Sequence, residues 1–446
     1  MMECRLTMKR LLVRLDRQKA EFYKQCTRRK LRELIWKWKK MAALYAATFL
    51  FVLPLLCHNL TNSVYSIHFQ AAADSARQVA RVINDERVRV AERFLSNPSV
   101  VSPPRRGGAN AVWRPEDDIQ NVDVAVTIVT MSREGNVTAG YKPRYLTQAV
   151  WRFISLLQKQ DFSYTVVLSV CNVDRNPNAY VEAIHLANIV RTFTRHSSSS
   201  SSTQTPSNET LEKEKDDYVY CLRTTVALRR PRYVLLVEDD ALPNAHMTTV
   251  LGQVLRTRLN RKYARGDFRD SDDDIAYVKF YHPDWLLGYG SFDANRLPCL
   301  LAFGAVASSL VLAVVRCISS SLVRERDVYV TWTLLTIYAM MVAIAIGRSN
   351  IVHVMRMFPP HLYSTATAPS CCTQAVLFPA VSALRVADYL AGVRCKADFG
   401  KDTALEQFVR VNGMRAYSVE PNTFSHVGMY STLSKDVLDP GIVDVS

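Results

Sequence analysis

The stretch that decides the fold is Arg-Tyr-Val-Leu-Leu-Val-Glu-Asp-Asp-Ala-Leu-Pro, residues 232–243. Its first half is an unbroken run of apolar and aromatic residues, which predicts a buried strand. The strand ends in Glu238, Asp239 and Asp240, and Pro243 prevents it from continuing. Ligands collect where the strands of an open α/β sheet end, and adjacent acids repel one another unless a cation lies between them. Mg²⁺ or Mn²⁺ suits such oxygens, and a solvated acidic turn is the alternative.

Strands and helices alternate around this segment. Residues 122–130 and 164–170 are rich in β-branched residues and predict strands, as do residues 275–281. Apolar residues at helical spacing predict helices over 145–159 and 181–193. This alternation is typical of a nucleotide-binding α/β sheet.

The positive charge lies mostly in one tail. The net charge is +15 over 446 residues, and residues 1–40 contain fourteen Lys and Arg against four acids. A basic tail that stops at an apolar run, here residues 41–60, is a topology signal and does not indicate nucleic acid. We interpret residues 41–60 as an uncleaved signal anchor, because the run can span a bilayer and no clear small-residue cleavage site follows.

Two further apolar runs lie at 299–315 and 329–347, with Arg316, Arg324 and Arg326 between them. Run length and the intervening arginines favour a membrane hairpin, and two buried core helices are the alternative. The resulting organisation is a cytosolic basic tail (1–40), a signal anchor (41–60), a lumenal stalk and linker (61–115), the first part of a lumenal α/β domain (116–297), a hairpin (298–348) and the second part of that domain (349–446).

Glycosylation sequons and cysteines agree with a lumenal location. The sequons at Asn136 and Asn208 fall on the predicted lumenal side, whereas Asn59 lies too near the membrane to be modified. An oxidising lumen would contain an odd number of cysteines, so one stays free or Cys299 joins them. These lumenal cysteines are Cys171, Cys221, Cys371, Cys372 and Cys395.

Four short motifs carry a resemblance that covers nearly the whole chain. They are Val-Glu-Asp-Asp at 237–240, Tyr-His-Pro at 281–283, Gly-Lys-Asp at 400–402 and Phe-Ser-His-Val-Gly-Met-Tyr-Ser at 424–431. With the signal anchor and hairpin, they resemble the Golgi N-acetylgalactosamine transferases that modify glycosylphosphatidylinositol (GPI) anchors after attachment to protein. N-acetylglucosaminyltransferases that branch N-glycans are similar in their lumenal parts. A non-catalytic membrane adaptor with a degenerate transferase domain is a third reading.

The resemblance implies a GT-A glycosyltransferase fold split by the hairpin. It also implies UDP-N-acetylgalactosamine (UDP-GalNAc) as donor, a divalent metal (Mn²⁺ or Mg²⁺), GPI-anchored proteins as acceptors and a multi-pass Golgi membrane location. The family's acidic motif maps onto Glu238, Asp239 and Asp240, of which Asp240 is the first choice as a metal ligand. His426 would bind the metal or a phosphate, unless it is only a structural histidine.

Inversion at the anomeric carbon needs a base that takes a proton from the acceptor hydroxyl. We expect this base to be Asp402, ahead of Asp398 and Asp284, although Asp402 could instead only cap a helix. Other polar residues at loops along the edge of the predicted sheet are candidates for contacts with uridine or phosphate: Thr130, Arg133 and Asn172.

Overall fold

The computed structural model describes residues 39, 41–60, 63–66, 73–97, 119–133, 142–159, 162–196, 207–259, 274–283, 286, 288–289, 296–318, 328–356 and 363–429. The chain divides into two compact units, a smaller one comprising Met1–Ile67 with Tyr289–Asn350 and a larger one comprising His68–Gly288 with Ile351–Ser446. The basic tail, apart from Lys39, and the sequon at Asn136 lie outside the described residues.

The helices and strands are numbered here in chain order. The helices are α1 Met41–Cys57, α2 Ala73–Leu95, α3 Tyr145–Lys159, α4 Val181–Leu186, α5 Ser207–Arg229, α6 Met247–Val254, α7 Leu297–Ile318, α8 Val328–Ile346, α9 Arg348–Arg356, α10 Ala380–Gly392 and α11 Lys401–Val411. The strands are β1 Val124–Thr130, β2 Val166–Asn172, β3 Arg191–Thr194, β4 Tyr233–Glu238, β5 Ala241–Pro243, β6 Ile275–Lys279, β7 Ser364–Thr367, β8 Ala375–Pro379, β9 Arg415–Glu420 and β10 Phe424–His426.

The smaller unit contains the apolar helices. Helices α7 and α8 are long and apolar enough to cross a membrane, with mean hydropathies of 2.3 and 1.8, and α1 is apolar but shorter. Gly304 of α7 faces α8 so closely that a Cβ would lie 2.7 Å from Met340 Cγ. The hydroxyls of Ser308 and Thr336 are 2.8 Å apart across the same contact. Small residues of this kind allow two apolar helices to pack closely.

The larger unit is built on an eight-stranded sheet in the order β3-β2-β1-β4-β8-β6-β9-β7. Strands β3, β2, β1 and β4 are parallel, β8 runs antiparallel to both of its neighbours, and β6 and β9 are again parallel. Helices α7 and α8 lie between β6 and β7 in sequence, yet these two strands belong to the same sheet. The segments on either side of the two apolar helices therefore build one α/β unit.

Alternating side chains give the sheet two buried faces. On β4, Leu235 and Val237 pack into one core with residues of α3 and α6, such as Phe153 and Val250. The alternate residues, among them Leu236, pack into a second core with residues of α5, α10 and α11. Successive side chains of a strand point to opposite faces, so one apolar strand serves both cores and the unit has three layers.

Helix α2 packs on the larger unit. The Asn84 amide donates to the Pro143 carbonyl at 3.1 Å, and Gln148 of α3 donates to Asn84 Oδ1 at 2.9 Å. Arg87 donates to Gln148 Oε1 at 3.0 Å. The helix lies in the segment interpreted from the sequence as a stalk and linker, and these bonds join its described part to the start of α3.

The helix predicted over 181–193 is wrong in its second half. Helix α4 ends at Leu186, and Arg191–Thr194 forms the edge strand β3 beside β2. The segment contains Thr192 and Phe193, which favour a strand, and the unpaired edge of β2 supplies hydrogen-bonding partners. Tertiary pairing therefore overrides the helical spacing.

Two disulfides form among the lumenal cysteines predicted from the sequence. Cys171 of β2 joins Cys221 of α5 with a Cα–Cα distance of 5.9 Å, and the adjacent residues Cys371 and Cys372 join each other. Cys395 is a buried free thiol and Cys299 is also free. Of the two alternatives for the odd cysteine, the structure shows the first.

Candidate active site

The candidate residues from β1, β2 and β4 meet at one edge of the sheet. Thr130, the last residue of β1, pairs with Asn172, the last of β2, and Glu238 ends β4 beside Val129. Strand β10 pairs with β5, which places His426 opposite Ala241, the residue after the acidic triplet. The parallel strands and the antiparallel β5–β10 pair together gather residues that are up to about three hundred positions apart in the chain.

The acidic triplet is divided between two clusters because side chains alternate along β4. Glu238 lies on the side of the sheet that carries α5 and α11, and its carboxylate is near Lys401 and Thr373. Asp239 and Asp240 lie in the turn that follows and are buried. We call Arg133, Asp239, Asp240 and His426 the acid–histidine cluster. Glu238, Thr373, Lys401 and Asp402 form the second cluster, called the Asp402 cluster.

Arg133 links the two acids of the acid–histidine cluster. Its Nη2 is 2.5 Å from Asp239 Oδ1, and its Nη1 is 3.0 Å from Asp240 Oδ2. His426 Nε2 lies 3.4 Å from the same Asp240 oxygen. Thr130 donates to Asp239 Oδ2 at 2.6 Å, which fixes that carboxylate against the end of β1. The structure thus brings Thr130, Arg133 and His426 together with Asp239 and Asp240.

Charge neighbours set the protonation of this cluster. Burial opposes ionisation of Asp240, but Arg133 and His426 outweigh it and lower the pKa of Asp240. Burial raises the pKa of Asp239, with a contribution from Asp240 that Arg133 and Thr130 only partly offset. Burial disfavours the cationic form of His426, yet Asp240 outweighs burial and raises its pKa. Asp240 is therefore held as an anion.

The acid–histidine cluster fits a divalent cation by its donor types. Asp240 Oδ1 is buried and has no hydrogen-bond partner among the residues that the structure describes, although it belongs to an ionised carboxylate. Carboxylate oxygens together with one imidazole nitrogen suit Mn²⁺ and Mg²⁺. Asp239, Asp240 and His426 could hold such an ion, whereas the side chain of Glu238 belongs to the other cluster.

Gly428 is a site residue that sequence reasoning did not single out, although it lies inside the quoted motif at 424–431. A Cβ on Gly428 would lie 2.2 Å from Asp240 Oδ2 and 2.8 Å from Asp240 Cγ. The Val427 N–H donates to the Asp240 carbonyl at 2.8 Å, so the backbone is pinned at this point. Only glycine leaves room for the Asp240 carboxylate.

We expect Gly428→Ala to lower the transfer rate by on the order of tenfold or more, because the methyl group displaces Asp240. Steady-state kinetics of the purified full chain measures this loss. The control is Gly392→Ala, where a Cβ meets nothing within 4 Å. Parental kinetics in a folded Gly428→Ala variant would show that the position of Asp240 is not critical.

Asp402 is held by the segment that precedes β8. The Cys372 N–H donates to Asp402 Oδ2 at 2.7 Å, and the Thr373 hydroxyl lies 3.2 Å from Asp402 Oδ1. The same hydroxyl is 3.0 Å from Glu238 Oε1. The N-cap of α11 is Gly400, and no side chain caps the helix. The expected capping role of Asp402 is therefore wrong, because its carboxylate accepts bonds from another segment.

Lys401 supplies the positive charge of the Asp402 cluster. Its ammonium forms an ion pair with Glu214 and lies 3.4 Å from Glu238 and 3.9 Å from Asp402. Burial opposes this charge, but Glu214, Glu238 and Asp402 outweigh burial and raise the pKa of Lys401. One buried ammonium thus lies among three carboxylates in a confined space and offsets part of their charge.

Cavities open beside both clusters. One, of about 400 Å³, is lined by Arg133, Asp239, Tyr180, Glu182 and residues at the end of α2. Another, of about 350 Å³, is lined by Cys371, Asp398, Lys401, Asp402 and neighbouring residues. Asp398 therefore faces the same cavity as Asp402, and Asp284 lies outside the described residues.

Two remaining observations limit what the site can contain. Asn172 Oδ1 accepts the Asp174 N–H at 3.0 Å, so this side chain shapes the loop after β2. Cys371, Cys372 and Asp402 place potential ligand atoms within 4.8 Å of one another. The two sulfurs are bonded to each other, so they are not thiolates and this group is not a metal site as it stands.

The family model described as GPI-N-acetylgalactosamine transferase PGAP4 matches residues 124–425. The chain belongs to this family. The match begins at the first residue of β1 and ends inside β10, so it includes the acidic triplet and Asp402. The resemblance seen in the motifs is therefore confirmed.

Among solved structures, the PGAP4-family chain is similar to the mannosyltransferase PcManGT from Pyrobaculum calidifontis, solved in complex with GDP-Man and Mn²⁺. The identity is 11% and the TM-score is 0.29, and the match covers 78% of this chain and 65% of the other. The chain thus spans slightly less than two thirds of that protein's length.

Proposed function

We propose that the protein transfers N-acetylgalactosamine from UDP-GalNAc to the core mannose of GPI anchors, with inversion and with a divalent metal, in the Golgi lumen. The proposal rests on one observation: two consecutive acids at the end of β4 belong to two different clusters of charged side chains. Glu238 belongs to the Asp402 cluster and Asp239 to the acid–histidine cluster. These neighbouring clusters support a cation bound near a candidate base.

The acid–histidine cluster is suited to the donor side. A divalent cation bound there, Mn²⁺ or Mg²⁺, would neutralise charge on the diphosphate leaving group. Arg133 is buried beside the acids, with its guanidinium 5.0 Å from the centre of the Tyr145 ring. It also lines the 400 Å³ cavity, so a diphosphate placed there would meet a fixed positive charge. We therefore place the nucleotide sugar in this cavity, near Thr130 and Tyr180.

The Asp402 cluster is suited to proton transfer. The Asp402 carboxylate takes the proton of the acceptor hydroxyl as the oxygen attacks the anomeric carbon. The bond from that carbon to the diphosphate oxygen breaks, and UDP leaves with the electron pair. Attack from the side opposite UDP inverts the anomeric configuration. The 350 Å³ cavity beside Asp402 and Cys371 is where we place the acceptor sugar.

The membrane part of the proposal rests on the apolar helices. α7 and α8 satisfy the length and composition of membrane spans, and α1 follows the basic tail. We infer a cytosolic N-terminus, with the α/β unit and the C-terminus in the lumen, where Asn208 would be glycosylated. The acceptor, a GPI-anchored protein, is fixed in the same bilayer, so membrane attachment lowers the entropic cost of their meeting.

Donor, metal and topology can be tested in microsomes that contain the full chain and a GPI-anchored acceptor, which are kept sealed for protease treatment and are permeabilised before UDP release is measured. We expect UDP release from UDP-GalNAc to exceed release from UDP-N-acetylglucosamine, and EDTA to abolish it until Mn²⁺ is restored. Protease added before permeabilisation should leave this activity intact, because a lumenal active site is protected. Preference for UDP-N-acetylglucosamine would contradict the proposed donor. Activity in the presence of EDTA would contradict metal dependence, and loss of activity after protease treatment would contradict the lumenal topology.

A further inference from the structure

Lys279 is a fully buried lysine at the carboxyl end of β6. Its exposed fraction is 0%, and every other residue of β6 is also buried. Burying an ammonium costs free energy that an apolar side chain such as Met would avoid. The strand itself therefore does not require a lysine at this position. The groups that the ammonium contacts must account for it.

The ammonium of Lys279 holds the backbone of a segment between β7 and β8. It donates to the carbonyl of Pro369 and to the carbonyl of Cys371, each at 2.8 Å. It also lies 5.7 Å from the centre of the Tyr277 ring. Two bonds to carbonyls only two residues apart fix the local path of the chain, which we call the 369–373 segment.

The 369–373 segment in turn holds both oxygens of Asp402. The Cys372 N–H reaches Oδ2, and the Thr373 hydroxyl lies within hydrogen-bond distance of Oδ1. The Cys371 carbonyl accepts from Lys279, and the Cys372 N–H donates to Asp402. A disulfide joins these two adjacent residues. Cys372 has a φ of +79°, in the left-handed region, so the segment depends on its surroundings to keep its shape.

We propose that Lys279 is a positioning residue for the transfer step, which holds the 369–373 segment so that the Cys372 N–H and the Thr373 hydroxyl orient Asp402. This inference rests on the proposed role of Asp402 as the base. A base must lie within hydrogen-bond reach of the acceptor proton, so a small rotation of the carboxylate lowers the rate.

The charges around Lys279 agree with this arrangement. Burial lowers the pKa of Lys279 to about 8, while Asp402 and Glu406 act in the opposite direction and Lys401 adds to the lowering. Asp402 and Glu406 are both on α11. Lys279 therefore interacts with Asp402 electrostatically, and it also acts on Asp402 through the backbone of the 369–373 segment.

The test replaces Lys279 by Met in the full chain and measures UDP release with UDP-GalNAc and a GPI-anchored acceptor. We expect kcat to fall by about tenfold while KM for UDP-GalNAc stays within about twofold, because donor binding does not involve the segment. The matched control is Lys215→Met. Lys215 is 1% exposed and donates to the Val393 carbonyl at 2.7 Å, and it has no contact with Asp402 among the described residues.

Removing either buried lysine is expected to lower Tm, but only Lys279→Met should lower kcat. A folded Lys279→Met variant with the parental kcat would overturn the proposal. Equal losses of kcat in Lys279→Met and Lys215→Met would also overturn it, because they would reflect general destabilisation.

A second variant covers the case in which Lys279→Met does not fold. Thr373→Val keeps the shape of the side chain and removes the hydroxyl next to Asp402. We expect the same selective loss of kcat, and an unchanged kcat would contradict the proposal. Asp402→Asn is measured in parallel. If Asp402→Asn is inactive and Lys279→Met is normal, only the positioning role fails, whereas an active Asp402→Asn would remove the base assignment itself.

Discussion

Asp240→Asn is expected to lower transfer by on the order of 10²–10³-fold while leaving expression and folding largely intact. Asp240 is buried, its ionised form is stabilised by Arg133 and His426, and its Oδ1 has no partner among the described residues. The amide keeps the shape of the side chain but loses the charge that would hold a cation. Relief of the repulsion with Asp239 only partly offsets the lost pairing with Arg133 and His426, so the variant should fold with a lowered Tm.

The measurement is the rate of UDP release as a function of Mn²⁺ concentration. We expect Asp240→Asn to need a much higher concentration of metal than the parent. The control is Asp388→Asn, since Asp388 is exposed and pairs with Arg223 away from the sheet edge. A normal rate with normal metal dependence in Asp240→Asn would exclude this carboxylate from the metal site.

Asp402→Asn is expected to lower kcat by on the order of 10²–10⁴-fold, the usual contribution of a general base. The amide oxygen can still accept the Cys372 N–H, and the amide NH2 can donate to the Thr373 hydroxyl oxygen while that hydroxyl donates to Glu238, so the loop should keep its structure. What it cannot do is take the acceptor proton. Donor binding should therefore persist, and the loss should appear in kcat and not in KM for UDP-GalNAc.

Asp398→Asn is the matched control for this prediction, because Asp398 is on the same cavity and is the rival base. Equilibrium binding of UDP-GalNAc to each variant separates a binding defect from a catalytic one. If Asp398→Asn loses activity and Asp402→Asn retains it, the two roles are exchanged. If both retain activity, neither acid is the base.

The sequence predicted the parts of the fold that follow from local pattern. The run before Glu238 and the β-branched residues of β1 and β2 appear as adjacent parallel strands. The antiparallel insertion of β8 between β4 and β6 could not be predicted, because Ala375–Pro379 only became a strand through pairing with distant residues. The strand β3 was missed for the same reason.

The sequence also predicted which residues gather at the site, but not how they divide. Thr130, Arg133, Asp240 and His426 meet because strand ends align, which a pattern of strands can indicate. The separation of Glu238 from Asp240 depends on which face each side chain takes at the last residue of β4. The role of the 369–373 segment depends on hydrogen bonds made by backbone atoms, for which side-chain chemistry gives no signal.

The most direct test of the account is mass spectrometry of GPI glycans from cells that lack the protein and are complemented with the parent, Asp240→Asn or Asp402→Asn. The account predicts that an N-acetylhexosamine on the core mannose is absent without the protein, is restored by the parent, and is restored by neither variant at equal expression. GPI glycans that keep this sugar in cells lacking the protein, or that regain it fully with Asp402→Asn, would contradict it.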